Sequence, residues 1–471
     1  MKTRNLLNTL ALLCVTLAIT LSSCSRNNGE LLRTIPENSS VIATLNVDGL
    51  MTAAGIKVKN GTLVLPANMQ QLVNSQATQS QLDLIAKTGS CIDRETVAFF
   101  VYNDDTFLTF TITDPEGFEQ GVLELAGNKE SDSGYDIYSP GGGQTLLVKG
   151  NQGWIIDRHA ASSIEVLDNA LKDAKEKAVT ENKTVTEALS RDGLANVAIN
   201  YLAMNHPAAS MGDAQWMTAS VDSKGKSLKG VVNAVSKDGK TIDFKSMKKI
   251  DTDFLRYVPG NVVFAGALGV DPRFDWDKTA QQMLPLANYS TANTIGLIVP
   301  YLKSLDGTCA IAVWPKNDSF WNEPSPANAG ILVTIALKKE NSRDTFNQIK
   351  ALFAQTGLQG RDNGGDTEVA YTLPGNMGNI FMSLRDNRLY VSTSPLEEQS
   401  NNIVGAFSGS RMSLYCAIPT LRAIDPRHAP VWGIKGSLKT DDTDITIEVE
   451  PTGTELTMIQ AVIDAAIAQA R

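Results

Sequence analysis

The chain has 471 residues, and its 51 acidic side chains against 42 basic ones give a formal net charge of −9. This acidic balance, without a basic patch, excludes nucleic acid and anionic lipid surfaces as expected partners. Only three His residues are present, so zinc sites and histidine-based acid–base catalysis have few candidate residues.

The N-terminus has the features of a secretory signal. Lys2 and Arg4 form a positive segment, an uncharged and mostly apolar run of 16 residues follows from Leu6 to Leu21, and Cys24 comes directly after Ser22-Ser23. This ending resembles the lipobox of bacterial lipoproteins, so residues 1–23 are predicted to be removed and Cys24 to carry a lipid anchor, with residues 24–30 as a flexible tether. The alternative is an uncleaved transmembrane anchor, although a typical span needs ~20 apolar residues.

One stretch of the sequence occurs twice, at residues 32–48 and 255–271. Both copies read Leu-Arg, one residue, an aliphatic residue and Pro, one residue and Asn, followed by a β-rich run that ends on Val-Asp. The offset of 255 − 32 = 223 residues suits a domain rather than a solenoid unit. The sequence therefore predicts two tandem, duplicated α+β domains at 31–250 and 251–471, each with an antiparallel or mixed sheet and helices packed on one side.

Hydrophobic periodicity and turn residues predict the elements in chain order. The first repeat is predicted to have strands at 41–47, 96–102, 106–113, 135–138, 144–149, 153–157, 216–221 and 228–235, and helices at 67–87, 115–125 and 162–174. The second is predicted to have strands at 262–271, 331–337, 369–371, 380–384, 388–392, 432–438 and 443–449, and a helix at 342–354. Trp216 and Trp432 lead the closing hairpins. A final helix at 456–470 carries an apolar stripe that includes Val462, so it should dock on the second domain.

The lipobox and the strand opening at Ile35 to Val47 resemble those of lipoproteins of Bacteroidetes that share a large domain of unknown function. This resemblance implies a cell-envelope address and brings no catalytic residues. Ser25 follows the Cys where well-studied bacterial lipoproteins of the inner membrane carry Asp, and by that resemblance we expect the outer membrane. The periplasmic and surface faces stay open as alternatives.

Motifs for catalysis, metal binding and cofactor binding are missing or incomplete, so no catalytic residue, metal site or cofactor is predicted. Gly225-Lys226-Ser227 and Gly239-Lys240-Thr241 end like phosphate-binding loops but lie between strands, which predicts hairpin tips. Residues 362–366 form an acidic cluster without the spacing of a calcium loop, and a solvated turn is favoured over a metal site. The His residues share no helix-face spacing and are interpreted as loop and turn residues, namely His159, His206 and His428.

Besides Cys14 in the signal and Cys24, the chain contains Cys91, Cys309 and Cys416. Cys91 and Cys309 occupy corresponding places in the two copies. A disulfide between them would need Cα atoms within ~7 Å. The preferred alternative is that both are buried thiols at the starts of strands.

The second repeat carries an aromatic insertion between two strands. Residues 314–326 read WPKNDSFWNEPSP, where the first repeat has only residues 103–105. Loops on a rigid scaffold often bind partners, and aromatic faces suit sugars and protein surfaces. Trp314, Phe320 and Trp321 are therefore the candidate binding residues. The alternative is that Phe320 and Trp321 pack on the sheet or between the copies, because buried aromatic residues usually serve cores.

Together these features predict a lipid-anchored binding or assembly module of the cell envelope, attached to the membrane through Cys24, with an envelope protein or a glycan as partner. The alternative function is an envelope hydrolase that uses Asp and Glu carboxylates, with glycans among its substrates. Two carboxylates that face one cleft would favour the hydrolase. A broad, exposed aromatic patch would favour binding.

Overall fold

A computed structural model of the chain describes residues 28–59, 62–70, 76–141, 143–158, 160–204, 213–278, 301–323, 325–362, 366–423 and 430–469. The chain folds into two compact units, one of residues up to Ile242 together with the segment from Glu455, the other from Asp243 to Thr454. Both units combine helices with antiparallel strands. Within the described residues, no helix is long and apolar enough to cross a bilayer.

The first unit alternates hairpins with helices. Its strands are β1 (Val41–Leu45), β2 (Lys57–Lys59), β3 (Thr62–Val64), β4 (Ile92–Tyr102), β5 (Asp105–Ile112), β6 (Glu130–Asp132), β7 (Tyr135–Gly141), β8 (Gln144–Lys149), β9 (Gln152–Ile156), β10 (Ala195–Asn200), β11 (Ala214–Lys224) and β12 (Ser227–Ser236). Its helices before Ile242 are α1 (Asn28–Leu32), α2 (Val47–Ala54), α3 (Ala67–Gln70), α4 (Gln76–Gly89), α5 (Pro115–Ala126), α6 (Ala160–Glu176) and α7 (Lys183–Leu189).

Strand β1 lies inside the sheet of the first unit, where it pairs with β4 on one side and β10 on the other. From β4 the antiparallel order continues through β5, β9, β8, β7 and β6. From β10 it continues through β11 to β12. Strands β2 and β3 form a separate ribbon.

Helices cover both faces of this sheet, which corrects the prediction of helices on one side. In β4, Ala98 belongs to the same buried cluster as Leu167 of α6, whereas its neighbour Val97 packs in the cluster that contains Phe118 of α5. Successive side chains of a strand point to opposite faces. Because both faces of β4 are apolar, each needs a covering layer. Helices α6 and α7 supply one, and α2, α4 and α5 supply the other.

Two short helices lie near the start of the first unit, and one of them begins within the predicted tether. Asn46 caps α2 by accepting a hydrogen bond from the N–H of Gly49 at 2.8 Å, and Gly55 ends the helix with a φ of 76°. Gly49 therefore lies inside a helix. Helix α1 begins within the predicted tether of residues 24–30, and its Leu32 is fully buried.

The second unit has the strands β13 (Phe264–Val270), β14 (Leu305–Pro315), β15 (Ala329–Leu337), β16 (Gly360–Asp362), β17 (Glu368–Thr372), β18 (Asn379–Arg385), β19 (Arg388–Ser392), β20 (Met412–Ile418), β21 (Gly433–Thr440) and β22 (Ile445–Thr452). Its helices include α8 (Ser342–Gln355) and the one-turn α9 (Val404–Phe407), with 3₁₀ helices at Thr252–Tyr257, Asp318–Trp321, Pro374–Asn376 and Leu421–Ala423. The strand predicted at 388–392 is confirmed with the same bounds.

Strand β13 lies inside the sheet of the second unit and pairs with β14 and β20. From β14 the antiparallel order continues through β15, β19, β18, β17 and β16. From β20 it continues through β21 to β22.

This sheet also carries apolar clusters on both faces. Phe254 of the first 3₁₀ helix and Phe407 of α9 meet edge to face, with ring centroids 5.7 Å apart, in the cluster that contains Tyr390. Leu389, the preceding residue on β19, packs instead with Phe346 of α8. Since neighbours along a strand point to opposite faces, the two clusters lie on opposite sides of the sheet.

The C-terminal helix α10 (Met458–Gln469) belongs to the first unit, so the prediction that it docks on the second domain is wrong. Thr457 Oγ1 donates to a carbonyl of α2 at 2.8 Å, and the N–H of Met458 donates to the carbonyl of Lys226 at 2.8 Å. Ala461 is fully buried, whereas Val462 of the predicted stripe is 50% exposed. An apolar stripe shows that a helix will dock, but it does not identify the surface that receives it.

Candidate functional site

The aromatic loop, residues 316–328, joins β14 to β15 in the second unit. In the first unit, β4 and β5 are joined only by Asn103-Asp104, whose φ angles of 50° and 67° define a tight hairpin turn. A tight turn is enough to connect two neighbouring antiparallel strands. The longer loop is therefore an addition that strand pairing does not require.

Trp314 anchors this region from inside the sheet. It is 8% exposed and lies in the core cluster with Leu332. Its indole occupies the space beside Gly330, where an added Cβ would come within 2.0 Å of the ring. Because a residue buried in this way has little surface left for a partner, the assignment of Trp314 to the binding residues is corrected. Its role is to pack the base of the aromatic loop.

Phe320 and Trp321 remain partly exposed on the aromatic loop. They end the 3₁₀ helix Asp318–Trp321, which Asn317 caps by accepting a hydrogen bond from the N–H of Ser319 at 3.0 Å. The two rings contact each other edge to face, with centroids 5.0 Å apart and planes at 80°. Neither residue belongs to a buried core cluster of the described chain. The pair therefore presents aromatic surface to solvent.

Hydrogen bonds close the aromatic loop at its base. Asn317 Nδ2 donates to Asn328 Oδ1 at 3.1 Å, and Asn328 Nδ2 donates to the carbonyl of Glu323 at 2.9 Å. The N–H of Lys316 donates to the carbonyl of Asn328 at 2.8 Å. A loop held by its own side chains loses less conformational entropy when a partner binds.

The ammonium group of Lys316 ties this loop to the sheet. Its Nζ donates to the carbonyl of Pro326 at 2.9 Å and to the carbonyl of Thr393, just after β19, at 2.6 Å. Desolvation lowers the pKa of Lys316. The cation thus crosslinks the two ends of the loop with the end of a neighbouring strand.

A polar groove of about 450 Å³ also lies on the second unit. Asp253 and Arg256 of the 3₁₀ helix line one side, and Gln399 and Asn401 line the other. Asn401 Nδ2 joins the two sides by donating to two carbonyls at the end of that helix, at 2.7 and 2.9 Å. The lining offers donors and acceptors of the kind that bind hydroxyl groups.

The groove and the aromatic loop flank the same turn, residues 258–262. Asn261 Nδ2 donates to the carbonyl of Pro315, at the start of the aromatic loop, at 3.0 Å. On the other side of the turn, a Cβ at Gly260 would lie 3.3 Å from the carbonyl oxygen of Ser400 in the groove wall.

Some of the remaining motifs have structural partners in the described part of the chain, whereas residues 363–365 of the acidic cluster lie outside it. The acidic cluster uses Asp362 in an ion pair with Lys350 at 3.0 Å, and within the described part of the chain no three His, Cys, Asp or Glu side chains group as metal ligands. The hairpin-tip predictions are confirmed, because Gly225 turns between β11 and β12 with a φ of 62° and Gly239 lies in the turn after β12. Several predicted residues lie outside the described chain, namely Cys24, His159, His206 and His428.

The three described cysteines are free thiols. Cys91 is buried, and Cys309 and Cys416 are half-buried. Burial raises the pKa of each thiol, and that of Cys309 to about 11. Such thiols are poor nucleophiles at neutral pH.

Sequence interpretation did not identify the Lys316 crosslink or the polar groove. Asn317, followed by Asp318 and Ser319, carried a detectable signal, because Asn commonly caps a turn or helix through the backbone two residues on. The groove had no signal of its own, since its two walls are more than 140 residues apart in sequence, as the 146-residue separation of Asn401 and Leu255 shows.

Comparisons with known proteins add little. No family model matches the chain, and no curated protein matches it. Among solved structures, crystal forms I, IV and III of TP0453 match with 11%, 8% and 9% sequence identity and a TM-score of 0.28 each. They cover 47%, 43% and 47% of this chain and 83%, 79% and 84% of the TP0453 chain. A likeness at this TM-score carries no argument about function.

Proposed function

We propose that this protein is a lipid-anchored binding or assembly module of the cell envelope, which binds an envelope protein or glycan through Phe320 and Trp321. The observation that carries the proposal is the aromatic pair itself, which is partly exposed on a loop whose base is fixed by hydrogen bonds. Exposed aromatic residues on a fixed frame bind with little entropy loss, because they have few rotatable bonds.

The anchor is the lipid-modified Cys24, and the outer membrane is the proposed location. The lipobox sequence supports this anchor. Helix α1 starts four residues after Cys24. Four extended residues span at most ~14 Å. The folded body would therefore lie close to the membrane surface. Replacement of Cys24 by Ala should leave an unprocessed precursor without lipid label, and incorporation of labelled fatty acid into that variant would refute the anchor.

The two units are proposed to be copies of one duplicated domain. Support comes from the pairing order, which is the same in both units. Strand β1 lies between β4 and β10, and β13 lies between β14 and β20. The strands beyond these partners follow in equivalent order. The sequence repeat at offset 223 places Val41 of β1 opposite Phe264 of β13 in the alignment. Duplication gives one copy freedom to acquire a binding loop while the other keeps the plain turn.

The hydrolase alternative has one observation in its favour. Glu448 and Glu450 line the same small groove of the second unit. However, Glu450 forms an ion pair with Lys435 at 3.3 Å, and Glu448 is exposed. A glycosidase general acid needs an apolar pocket to keep its proton at neutral pH. Binding is therefore the function that the geometry supports better.

A photocrosslinking experiment in cells tests the binding surface. p-Benzoylphenylalanine placed at Phe320 keeps an aromatic ring at the site, and a matched variant carries it at Leu352 of α8, which is 47% exposed outside the loop. The proposal predicts a discrete adduct from position 320, to an envelope protein or to a glycan sensitive to glycosidase digestion, and none of the same mass from position 352. Identical adducts from both positions, or none from 320, would contradict it.

A further inference from the structure

A second, smaller groove of about 280 Å³ lies between α9 and the strand pair β21–β22. Tyr415 of β20 forms part of its lining, Lys435 and Lys439 come from β21, and Glu448 and Glu450 come from β22. The register sets Lys435 opposite Glu450 and Ser437 opposite Glu448. Two rows of opposite charge therefore run side by side across the groove.

Two of these four charges are already engaged with each other. Lys435 Nζ lies 3.3 Å from Glu450 Oε1. Lys439 Nζ donates to the carbonyl of Gly405 in α9 and so keeps its positive charge uncompensated. Glu448 is exposed, and its carboxylate has no ion pair among the described residues. The groove thus offers one positive and one negative group on neighbouring strands, neither of which has a counterion among the described residues.

The corresponding place in the first unit is filled with apolar side chains. The correspondence between the two places rests on the proposed duplication. In the first unit, Val41 pairs with Ile199, which in turn pairs with Met217 on β11. In the second unit, Phe264 pairs with Cys416, which in turn pairs with Gly436 on β21. One residue before these end points stand Trp216 in the first unit and Lys435 in the second. By register, the counterpart of Trp216 is Lys435 and not Trp432.

The partners of these two residues differ in the same way. Trp216 faces Val235, and both are 0% exposed, whereas Lys435 faces Glu450 and both are solvent-accessible. The covering helix differs too, because α7 has seven residues and α9 has four. An apolar cluster under a helix in one unit is thus an open charged groove in the other. Exchanging buried apolar residues for charges gives up hydrophobic stabilisation, which a purely structural role would not favour.

We infer that the groove between α9 and β21–β22 binds a small zwitterionic ligand, with its ammonium group on Glu448 and its carboxylate or phosphate on Lys439. Diagonal neighbours on adjacent strands lie about 7–8 Å apart, and flexible Lys and Glu side chains bring their charges to a ligand that carries both signs. The hydroxyl of Ser437 adds a hydrogen-bonding group between them. The free termini of a peptide and a phosphoethanolamine group share this chemistry.

Isothermal titration of the chain without residues 1–24 tests the inference, with glycylglycine and O-phosphoethanolamine as separate probes that distinguish the two sources. Saturable binding of one probe is expected, with Glu448→Gln weakening it by at least about tenfold because a charge-assisted contact is lost. Glu455→Gln, which removes a 97% exposed carboxylate outside the groove, is the control and should bind normally.

A second variant rebuilds the apolar arrangement of the first unit. Lys435→Trp combined with Glu450→Val should fill the groove, abolish binding of the probe and leave the thermal midpoint unchanged or higher. Failure of both probes to saturate, or wild-type affinity in Glu448→Gln, would overturn the inference. Trp321→Ala should bind the probe normally, so loss of its envelope partner reports on the aromatic loop and not on this groove.

Discussion

The indole of Trp314 lies beside Gly330 on the neighbouring strand, and a Cβ at position 330 would come within 2.0 Å of the ring. The absence of a side chain at 330 is therefore what lets Trp314 pack against β15. Gly330→Ala is expected to destabilise the second unit by about 1–3 kcal/mol, because the ring has to move in a packed core. Urea unfolding measures the loss. Gly405→Ala, with no atom within 4 Å of the added Cβ, should show none.

The buried guanidinium of Arg94 gives a second prediction. Arg94 is 5% exposed, and its Nη1 is 2.5 Å from Asp48 Oδ1. Asp48→Ala should cost about 3–5 kcal/mol of unfolding free energy, because a buried charge loses its counterion. Glu187→Ala, which removes an exposed partner of Lys183, should change it by less than ~1 kcal/mol. Equal effects of the two variants would show that Arg94 is solvated.

The free thiols give a prediction about reactivity. Protein that lacks residues 1–24, denatured without a reductant, should show three free thiols per chain in a DTNB assay, from Cys91, Cys309 and Cys416. Folded protein at pH 8 should react slowly, because burial raises the pKa of all three thiols. One equivalent after denaturation would instead indicate a disulfide between two of them.

The pKa of Cys309 also predicts a pH dependence of stability. Burial raises it from 9.0 to about 11. Because the thiol ionises earlier in the unfolded chain, its contribution is complete below pH 9 and is lost as the pH rises toward 11. The unfolding free energy should therefore fall less steeply between pH 9 and 11 in Cys309→Ala than in the parent protein. Parallel slopes would contradict the shift.

Two hairpin turns allow a matched test of backbone strain. Asp104 and Asn387 both have positive φ, at 67° and 59°. Asp104→Gly should stabilise the protein by about 0.5–1 kcal/mol, because Gly adopts this conformation without steric cost. Asn387→Gly should gain less or lose stability, because Asn387 Oδ1 accepts a hydrogen bond from Ser342 Oγ at 3.1 Å. Chemical denaturation of both variants compares the two effects.

Many strand positions along the chain could be predicted, because the strands of each hairpin alternate or are apolar throughout. β19 was predicted with its observed bounds, and α5 within one residue. β10 was missed for a physical reason. Its Asn196 points inward, where Nδ2 donates to Thr44 Oγ1 and to the carbonyls of Leu189 and Arg191. A buried Asn in the core row hides the alternation that marks a strand.

The candidate site was predicted only in part. Composition and loop length located Phe320 and Trp321, but the same pattern placed Trp314 with them. Sequence gives no distinction between the last inward residue of a strand and the first residues of a loop, because that depends on the register with Gly330. The prediction of where α10 docks was wrong for a similar reason, because its apolar stripe carries no information about the surface that receives it.

The central claim is that Trp321 serves binding while Trp314 serves packing. The most direct test measures the thermal midpoint of Trp321→Ala and Trp314→Ala together with capture of the envelope protein or glycan crosslinked from position 320. The account predicts that Trp321→Ala keeps its midpoint and loses capture, whereas Trp314→Ala loses several degrees, as expected when a buried Trp is truncated at a cost of about 3–5 kcal/mol. A drop of several degrees in Trp321→Ala with capture intact would contradict the account.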